Sequence, residues 1–139
     1  PQPTDNILEI GTGCGYQAAV LAALVSKVFS VERISEVAEL AKANLKKVGC
    51  KNVEVIVGDG TTGYLQKAPY DGIIITAATP SVPKPLIEQL TEGGRLVAPV
   101  GGRDIQELIR LRKTDGFLSE ERHGGVRFVP LIGECGWRG

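Results

Sequence analysis

The chain has 139 residues, of which 42% are hydrophobic and 23% charged, and its 16 Lys and Arg residues balance its 16 Asp and Glu residues. This composition is typical of one globular domain, which at this size can bury a core without disulfides or metals. The zero net charge does not favour a nucleic-acid-binding protein, which normally carries a basic excess. The apolar runs are shorter than the ~20 residues that a membrane-spanning helix needs, so we expect no membrane segment.

The cysteines and the histidine indicate no metal site. Cys14, Cys50 and Cys135 are odd in number and match no zinc-binding spacing, so we expect free thiols in a reducing cytoplasm. His123 is the only histidine, and its neighbours Arg122 and Gly124 favour an exposed turn. We assign it no role.

The first hundred residues alternate short apolar runs with helical patterns. Short apolar runs bounded by glycines indicate strands, whereas longer runs rich in Ala, Leu and charged residues indicate helices. Gly49 and the pair Gly93-Gly94 are expected to end the second and third helices. The predicted elements are a strand over residues 7–10, a helix over 16–25, a strand over 28–31, a helix from the N-cap residue Ser35 to about Val48, strands over 53–57 and 71–76, a helix over 81–90, and a strand over 95–100.

The pattern beyond residue 100 changes to strands alone. Residues 106–113 alternate apolar and polar side chains, Asp115-Gly116 predicts a hairpin turn, and residues 126–132 predict a last strand. The whole order predicts one α/β domain over residues 1–139. We expect a doubly wound, Rossmann-like sheet with parallel strands in the order 3-2-1-4-5, extended beside strand 5 by C-terminal antiparallel strands.

A glycine-rich loop, LEIGTGCGY (residues 8–16), follows the first strand. Gly11, Gly13 and Gly15 allow a sharp turn and let a ligand lie against the backbone, and the next helix presents free N–H groups. A tight turn without a ligand is the alternative for this motif alone. The spacing G-x-G-x-G differs from the dinucleotide fingerprint G-x-G-x-x-G and resembles the S-adenosylmethionine motif of Rossmann-like methyltransferases. Glu9 resembles the acidic residue of that motif.

Two carboxylates are predicted at the ends of neighbouring strands. Glu32 comes after the second strand, 21 residues beyond Gly11, where a carboxylate can accept hydrogen bonds from ribose hydroxyls. Asp59 lies between Gly58 and Gly60 after the third strand, where it can accept a hydrogen bond from an adenine amine. The alternatives are a solvated charge for Glu32 and an Asp-Gly turn for Asp59. Glu32 and the glycine-rich loop do not by themselves distinguish NAD from S-adenosylmethionine.

Four segments resemble the protein-L-isoaspartate O-methyltransferase family, in the order in which that family has them. They are LEIGTGCGYQAAVLA (residues 8–22), VGDGTTGYLQKAPYDGIIITAA (57–78), PKPLIEQLTEGGRLVAPVG (83–101) and GGVRFVPLIGE (124–134). Together they cover nearly the whole chain. The second and fourth segments are the more specific ones, because general methyltransferases do not share them.

The resemblance implies methyl transfer from S-adenosylmethionine, leaving S-adenosylhomocysteine, to the free α-carboxylate of L-isoaspartyl residues in damaged proteins. It implies a cytoplasmic, monomeric repair enzyme that acts on proteins and peptides and binds neither nucleic acid nor membrane. Val129 and Ile132 would lie near the isoaspartyl substrate. The cofactor contacts that the resemblance carries over are Gly11, Thr12, Gly13, Gly15, Glu32, Asp59 and Gly60.

One part of the family pattern is absent from the sequence. In the family, a segment before the first strand holds a Ser or Thr beside the reacting carboxylate, whereas this sequence starts six residues before the first apolar strand position and contains no Met. We therefore expect an N-terminally truncated fragment, inactive by itself, whose catalytic residue has no position here. The alternative functions are another methyltransferase of the same fold, an NAD-dependent oxidoreductase, and a non-catalytic nucleoside-binding module.

Overall fold

The computed structural model describes residues 2–137, and its central element is a sheet of seven strands. The strands are β1 (Asn6–Ile10), β2 (Lys27–Glu32), β3 (Val53–Val57), β4 (Tyr70–Ile75), β5 (Leu90–Gly101), β6 (Gln106–Thr114) and β7 (Phe117–Val126). The helices are α1 (Tyr16–Ala22), α2 (Ser35–Lys47) and α3 (Lys84–Glu88), with two short 3-10 helices at Gly60–Thr62 and Leu65–Lys67.

The strand order across the sheet is β3-β2-β1-β4-β5-β6-β7. Strands β1 to β5 are parallel, and β6 and β7 extend the sheet as antiparallel strands beside β5. The predicted doubly wound order is therefore confirmed. In the centre, Ile7 of β1 pairs with Val28 of β2 and with Gly72 of β4. The strand order reverses between β1 and β4, and doubly wound sheets bind their ligands at the carboxyl ends of the strands at such a point.

Strand β1 contributes to two hydrophobic clusters, because successive side chains of a strand point to opposite faces of the sheet. Ile7 packs with Ala18 of α1 and with Val28 of β2 on one face. Leu8 and Ile10 belong to the larger cluster on the other face, which includes side chains of β4, β5 and β6. The strand is thus buried on both sides, and the loop that follows it begins from a firmly held position.

The first two helices differ from expectation at their ends. Helix α1 ends at Ala22, three residues earlier than predicted, because its last turn tightens and the chain then bends into β2. Ile34, and not Ser35, holds the N-cap position of α2, and no side chain caps that helix in the usual way. Gly49 follows α2 with a φ of 70°, as predicted for a glycine that ends a helix. In residues 2–137, no helix has the length and apolar character needed to cross a membrane.

Helix α3 is much shorter than predicted. Pro83 occupies its N-cap position, and the two predicted helical residues before it, Ser81 and Val82, are not helical. Leu90 leaves the helix because it pairs with Tyr70 of β4 and begins β5. The pair Gly93-Gly94 therefore does not end a helix. It lies within β5, where the pairing with β4 shifts its register.

The C-terminal strands confirm one turn and correct two other predictions. Asp115 and Gly116 have φ angles of 51° and 77° and form the predicted hairpin turn between β6 and β7. His123 is exposed but lies in β7 rather than in a turn, and its Nε2 atom is 3.2 Å from a carboxylate oxygen of Glu121. The predicted strand over residues 126–132 is wrong, because the chain leaves the sheet after β7 and crosses to the carboxyl end of β4.

Candidate functional site

A cavity of about 360 Å³ lies at the carboxyl ends of β1, β2 and β4. This is where the strand order predicts a ligand crevice. Of the predicted site residues, its wall contains Gly11, Gly13, Glu32, Gly60, Val129 and Ile132. Thr12, Gly15 and Asp59 are not part of the wall, but their contacts hold the segments that form it.

The glycine-rich loop between β1 and α1 turns sharply because three glycines have positive φ angles, 95° at Gly11, 55° at Gly13 and 91° at Gly15. Residues with a side chain rarely adopt such angles. A Cβ atom at Gly11 would also overlap with the Thr76 hydroxyl, and one at Gly15 would lie 3.3 Å from the Ala41 carbonyl oxygen. A Cβ atom at Gly13 would meet no atom of residues 2–137 within 4 Å. The loop is therefore packed closely at its two ends and open in its middle.

Glu32 connects the glycine-rich loop to the start of α2. Its Oε1 atom accepts a hydrogen bond from the Gly13 N–H at 3.2 Å, and its Oε2 atom accepts one from the Ile34 N–H at 3.0 Å. A carboxylate oxygen can accept two hydrogen bonds. Each oxygen of Glu32 therefore keeps an acceptor position, and the side chain is held in one orientation in the cavity wall.

Glu9 lies beneath the loop in a buried network. The Ser30 hydroxyl donates to Glu9 Oε1 at 2.5 Å, and the Thr12 and Ser30 hydroxyl oxygens are 2.6 Å apart. Among the described residues, Glu9 Oε2 has no hydrogen-bond partner. Burial raises the pKa of Glu9 to about 7, against the opposing effect of the Ser30 hydrogen bond and with a further contribution from the charge of Glu32. Through Ser30, Thr12 is thus linked to a carboxyl group whose pKa lies above the ordinary value for a glutamate.

Two residues that position the loop, Ser30 and Thr76, were not predicted from the sequence. Ser30 pairs with Glu9 in the parallel register of β1 and β2, and a serine within the apolar run VFSV was the available signal. The Thr76 hydroxyl lies 2.8 Å from both the Ile10 and the Gly11 carbonyl oxygens, which share its one proton. The loop is therefore held from β2 on one side and from the end of β4 on the other.

Asp59 is engaged by the protein at both carboxylate oxygens. Oδ1 accepts hydrogen bonds from the Thr61 N–H at 2.9 Å and the Thr61 hydroxyl at 2.6 Å, and Oδ2 accepts one from the Glu134 N–H at 2.9 Å. Burial opposes ionisation, but these hydrogen bonds prevail, with help from the charge of Arg33, and hold the pKa of Asp59 below its usual value. The predicted contact of Asp59 with adenine stays a prediction, and Gly60 is the residue of this turn that reaches the cavity wall.

Residues 129–132 form the part of the wall that is most distant in sequence from the glycine-rich loop. The Ala78 N–H donates to the Val129 carbonyl oxygen and the Leu131 N–H donates to the Ala78 carbonyl oxygen, both at 2.6 Å. Pro130, which has no N–H, lies between these two hydrogen bonds. The segment is thereby held at the end of β4, and the Val129 side chain is left 71% exposed. The predicted role of Val129 and Ile132 in substrate binding stays a prediction.

Comparisons with known proteins point to one family. The family model described as protein-L-isoaspartate(D-aspartate) O-methyltransferase (PCMT) matches residues 2–136. A protein-L-isoaspartate O-methyltransferase of Methanospirillum hungatei is 60% identical over 138 residues, which are 99% of this chain and 64% of that protein. The chain thus spans less than two thirds of the length of this curated relative.

Solved structures have the same fold. A protein-L-isoaspartate O-methyltransferase structure is similar with a TM-score of 0.88 and 34% identity, over 97% of this chain and 44% of that one. A Plasmodium falciparum structure described as a β-aspartate methyltransferase in complex with S-adenosyl-L-homocysteine has a TM-score of 0.80 and 22% identity, over 94% of this chain and 67% of that one. At the latter identity the likeness shows the fold alone.

Proposed function

This chain belongs to the protein-L-isoaspartate(D-aspartate) O-methyltransferase family, and from that premise we propose that the whole protein transfers a methyl group from S-adenosylmethionine to the free α-carboxylate of L-isoaspartyl residues in damaged proteins. The observation that carries this proposal is the cavity in which the glycine-rich loop and Glu32 share a wall with residues 129–132. On this proposal, the nucleoside site and the peptide-facing segment share one crevice. The biological role that follows is protein repair.

The groups around the cavity fit the cofactor chemically. Gly13 leaves open space over the loop, and Glu32 keeps two acceptor positions that suit the ribose hydroxyls. Asp59 lies outside the cavity wall and uses three of about four acceptor positions within the protein, and we assign the remaining one to an adenine amine. The residues assigned to S-adenosylmethionine are Gly11, Thr12, Gly13, Gly15, Glu32, Asp59 and Gly60.

The chemistry requires alignment more than acid or base catalysis. Bound S-adenosylmethionine supplies a methyl group activated by the sulfonium. The substrate carboxylate attacks that carbon, so a C–O bond forms while the S–C bond breaks and its electron pair stays on sulfur, giving a methyl ester and S-adenosylhomocysteine. A carboxylate is ionised at neutral pH and needs no general base, so the protein contributes by holding the two reactants in line. We assign Val129 and Ile132 to the peptide side of this alignment.

We further propose that the protein works as a monomer in the cytoplasm, on proteins and peptides rather than nucleic acids or membranes. Two observations support the compartment and the kind of substrate. Cys14, Cys50 and Cys135 are all free thiols, as in a reducing compartment. The chain has equal numbers of acidic and basic residues, so it offers no basic excess to a nucleic acid or an anionic membrane.

Cofactor binding and methyl transfer are tested separately. Titration calorimetry of the full-length protein should show heat of binding with S-adenosylhomocysteine and none with NAD. Methyl transfer by the full-length protein is then compared on two peptides of identical sequence, one with L-isoaspartate and the other with normal aspartate, and only the first should be methylated. Binding of NAD alone would contradict the cofactor assignment. Equal methylation of both peptides would favour another methyltransferase of this fold.

A further inference from the structure

Thr61 is a fully buried residue in the 3-10 helix that follows Asp59, and it contacts the C-terminal end of the described chain. Its hydroxyl donates to Asp59 Oδ1 at 2.6 Å and accepts a hydrogen bond from the Cys135 N–H at 3.0 Å. Asp59 Oδ2 accepts one from the Glu134 N–H at 2.9 Å. Two successive backbone N–H groups, more than 70 residues away in sequence, are therefore held by this pair of side chains.

The C-terminal turn, residues 131–137, packs directly against this pair. A Cβ atom at Gly133 would overlap with Asp59 Oδ1 and with the Thr61 side chain, and one at Gly136 would lie 3.0 Å from Thr61 Cγ2. The turn is also closed on itself, because the Trp137 N–H donates to the Leu131 carbonyl oxygen at 2.8 Å. The turn therefore forms a preorganised unit seated on Thr61.

Residues 129–132 lie between two attachments. Ala78 holds them at the end of β4, and the C-terminal turn continues from them to Thr61. On its other side, Thr61 follows Gly60, which is in the wall of the cavity and packs so closely on Ile10 that a Cβ atom there would overlap with the Ile10 side chain. Thr61 thus connects Gly60 in the cavity wall to the segment that contains Val129.

We propose that Thr61 is a positioning residue, which fixes residues 129–132 in place for the peptide substrate by holding the C-terminal turn against Asp59. This inference rests on the proposed function for the identity of the peptide. Thr61 is fully buried and is not part of the cavity wall, so its effect on the peptide would pass through the turn. Its loss should weaken the use of peptide and leave cofactor binding nearly unchanged, because the Thr61 N–H still holds Asp59 Oδ1.

The first measurement is made without any ligand. Thr61→Val keeps the shape of the side chain and removes the hydroxyl, and Thr61→Ser retains the hydroxyl. Thr62→Val is the matched control, because the Thr62 hydroxyl donates to the Asp59 carbonyl oxygen and does not contact the turn. Amide hydrogen exchange at Cys135, whose hydrogen bond to the Thr61 hydroxyl is lost, should become about tenfold faster in Thr61→Val. Exchange at Glu134 should also become faster as the turn loosens. Exchange at both residues should stay at the wild-type rate in Thr61→Ser and Thr62→Val.

The second measurement uses the full-length protein with an L-isoaspartyl peptide and S-adenosylmethionine. Thr61→Val should raise KM for the peptide about tenfold. The Kd for S-adenosylhomocysteine, measured by calorimetry, should change by less than about twofold. Thr61→Ser should restore KM. Gly133→Ala serves as a second variant outside the core for the exchange measurement, because its added Cβ would overlap with Asp59 Oδ1 and Thr61 and should push the turn away.

The outcomes separate the two proposals. Unchanged amide exchange in both Thr61→Val and Gly133→Ala would overturn the inference, as would an equal loss of peptide and cofactor binding. A wild-type protein that binds S-adenosylhomocysteine but methylates no isoaspartyl peptide would refute the proposed function instead. In that case the ligand-free exchange rates would still decide whether Thr61 holds the turn.

Discussion

The Glu32 carboxylate accepts a hydrogen bond from the Gly13 N–H at 3.2 Å, so the end of β2 holds the middle of the glycine-rich loop. This contact joins the two features that the sequence offered as separate signals. It also orients Glu32, whose other oxygen is bonded to the Ile34 N–H. The loop and the carboxylate are therefore held together as one preorganised surface and do not move independently.

Glu32→Ala should weaken binding of S-adenosylhomocysteine by about 1.5–3 kcal/mol, because a charge-assisted hydrogen bond to the ribose and the restraint on Gly13 are lost together. Glu36→Ala is the control. Glu36 is exposed in the first turn of α2. A carboxylate there stabilises the helix through its dipole by about 0.3–1 kcal/mol. Calorimetry of both variants checks the assignment, and equal losses would contradict it.

The buried carboxyl of Glu9 should make stability fall as the pH rises. Its pKa is about 7 in the folded protein against the ordinary glutamate value of 4.5, so between these pH values the folded state binds more protons than the unfolded state. The stabilisation of the folded state by protonated Glu9 is complete below pH 4.5 and is lost as the pH rises through about 7. From pH 4.5 to above 7 the loss should be on the order of 3 kcal/mol.

Urea unfolding of wild type and Glu9→Gln at pH 5 and pH 8 measures this loss. Gln keeps the shape and cannot ionise, so the variant should lack the pH-dependent component. Glu88→Gln, at an exposed position of α3, should follow the wild-type curve. If the Glu9→Gln and wild-type curves ran parallel across this range, Glu9 would not be the group that titrates.

Asp59 should affect the pH dependence of stability in the opposite direction from Glu9. Its hydrogen bonds keep its folded pKa below the ordinary aspartate value of 3.8, so its stabilisation is present above that pH and is lost as the pH falls through the folded pKa. Asp59→Asn should destabilise the protein at pH 7, because an amide nitrogen would face an N–H donor. The difference from wild type should shrink in acid. Exposed Asp115 provides the control variant Asp115→Asn, and a difference for Asp59→Asn that is independent of pH would refute this role.

Gly11→Ala should lower the free energy of unfolding by about 2–3 kcal/mol, from the strain of a positive φ and the displacement of the Thr76 hydroxyl. Gly102→Ala is a suitable control, because within the described part of the chain a Cβ atom there meets one backbone oxygen, at 3.9 Å. Denaturant unfolding of both variants compares the two sites. A stability of Gly11→Ala equal to that of Gly102→Ala would mean that the loop relaxes freely.

The order of strands and the position of the crevice could be predicted from the sequence because their signals are local. Apolar runs, turn residues and the rule of right-handed crossovers were sufficient for the order 3-2-1-4-5, and the hairpin turn at Asp115 and Gly116 is specified by those two residues alone. The glycine-rich loop was recognisable for the same reason, since each of its three glycines is needed for a positive φ angle at its own position.

Tertiary structure alone decided what holds the site together, because contacts between distant residues leave no periodic trace in the sequence. Ser30 meets Glu9 only through the parallel register of β1 and β2. Helix α3 loses its predicted last residue because Leu90 is taken by pairing with β4. Thr61 reaches the Cys135 N–H across 74 residues of chain, and that contact exists only once the sheet has brought the end of β3 beside the C-terminal turn.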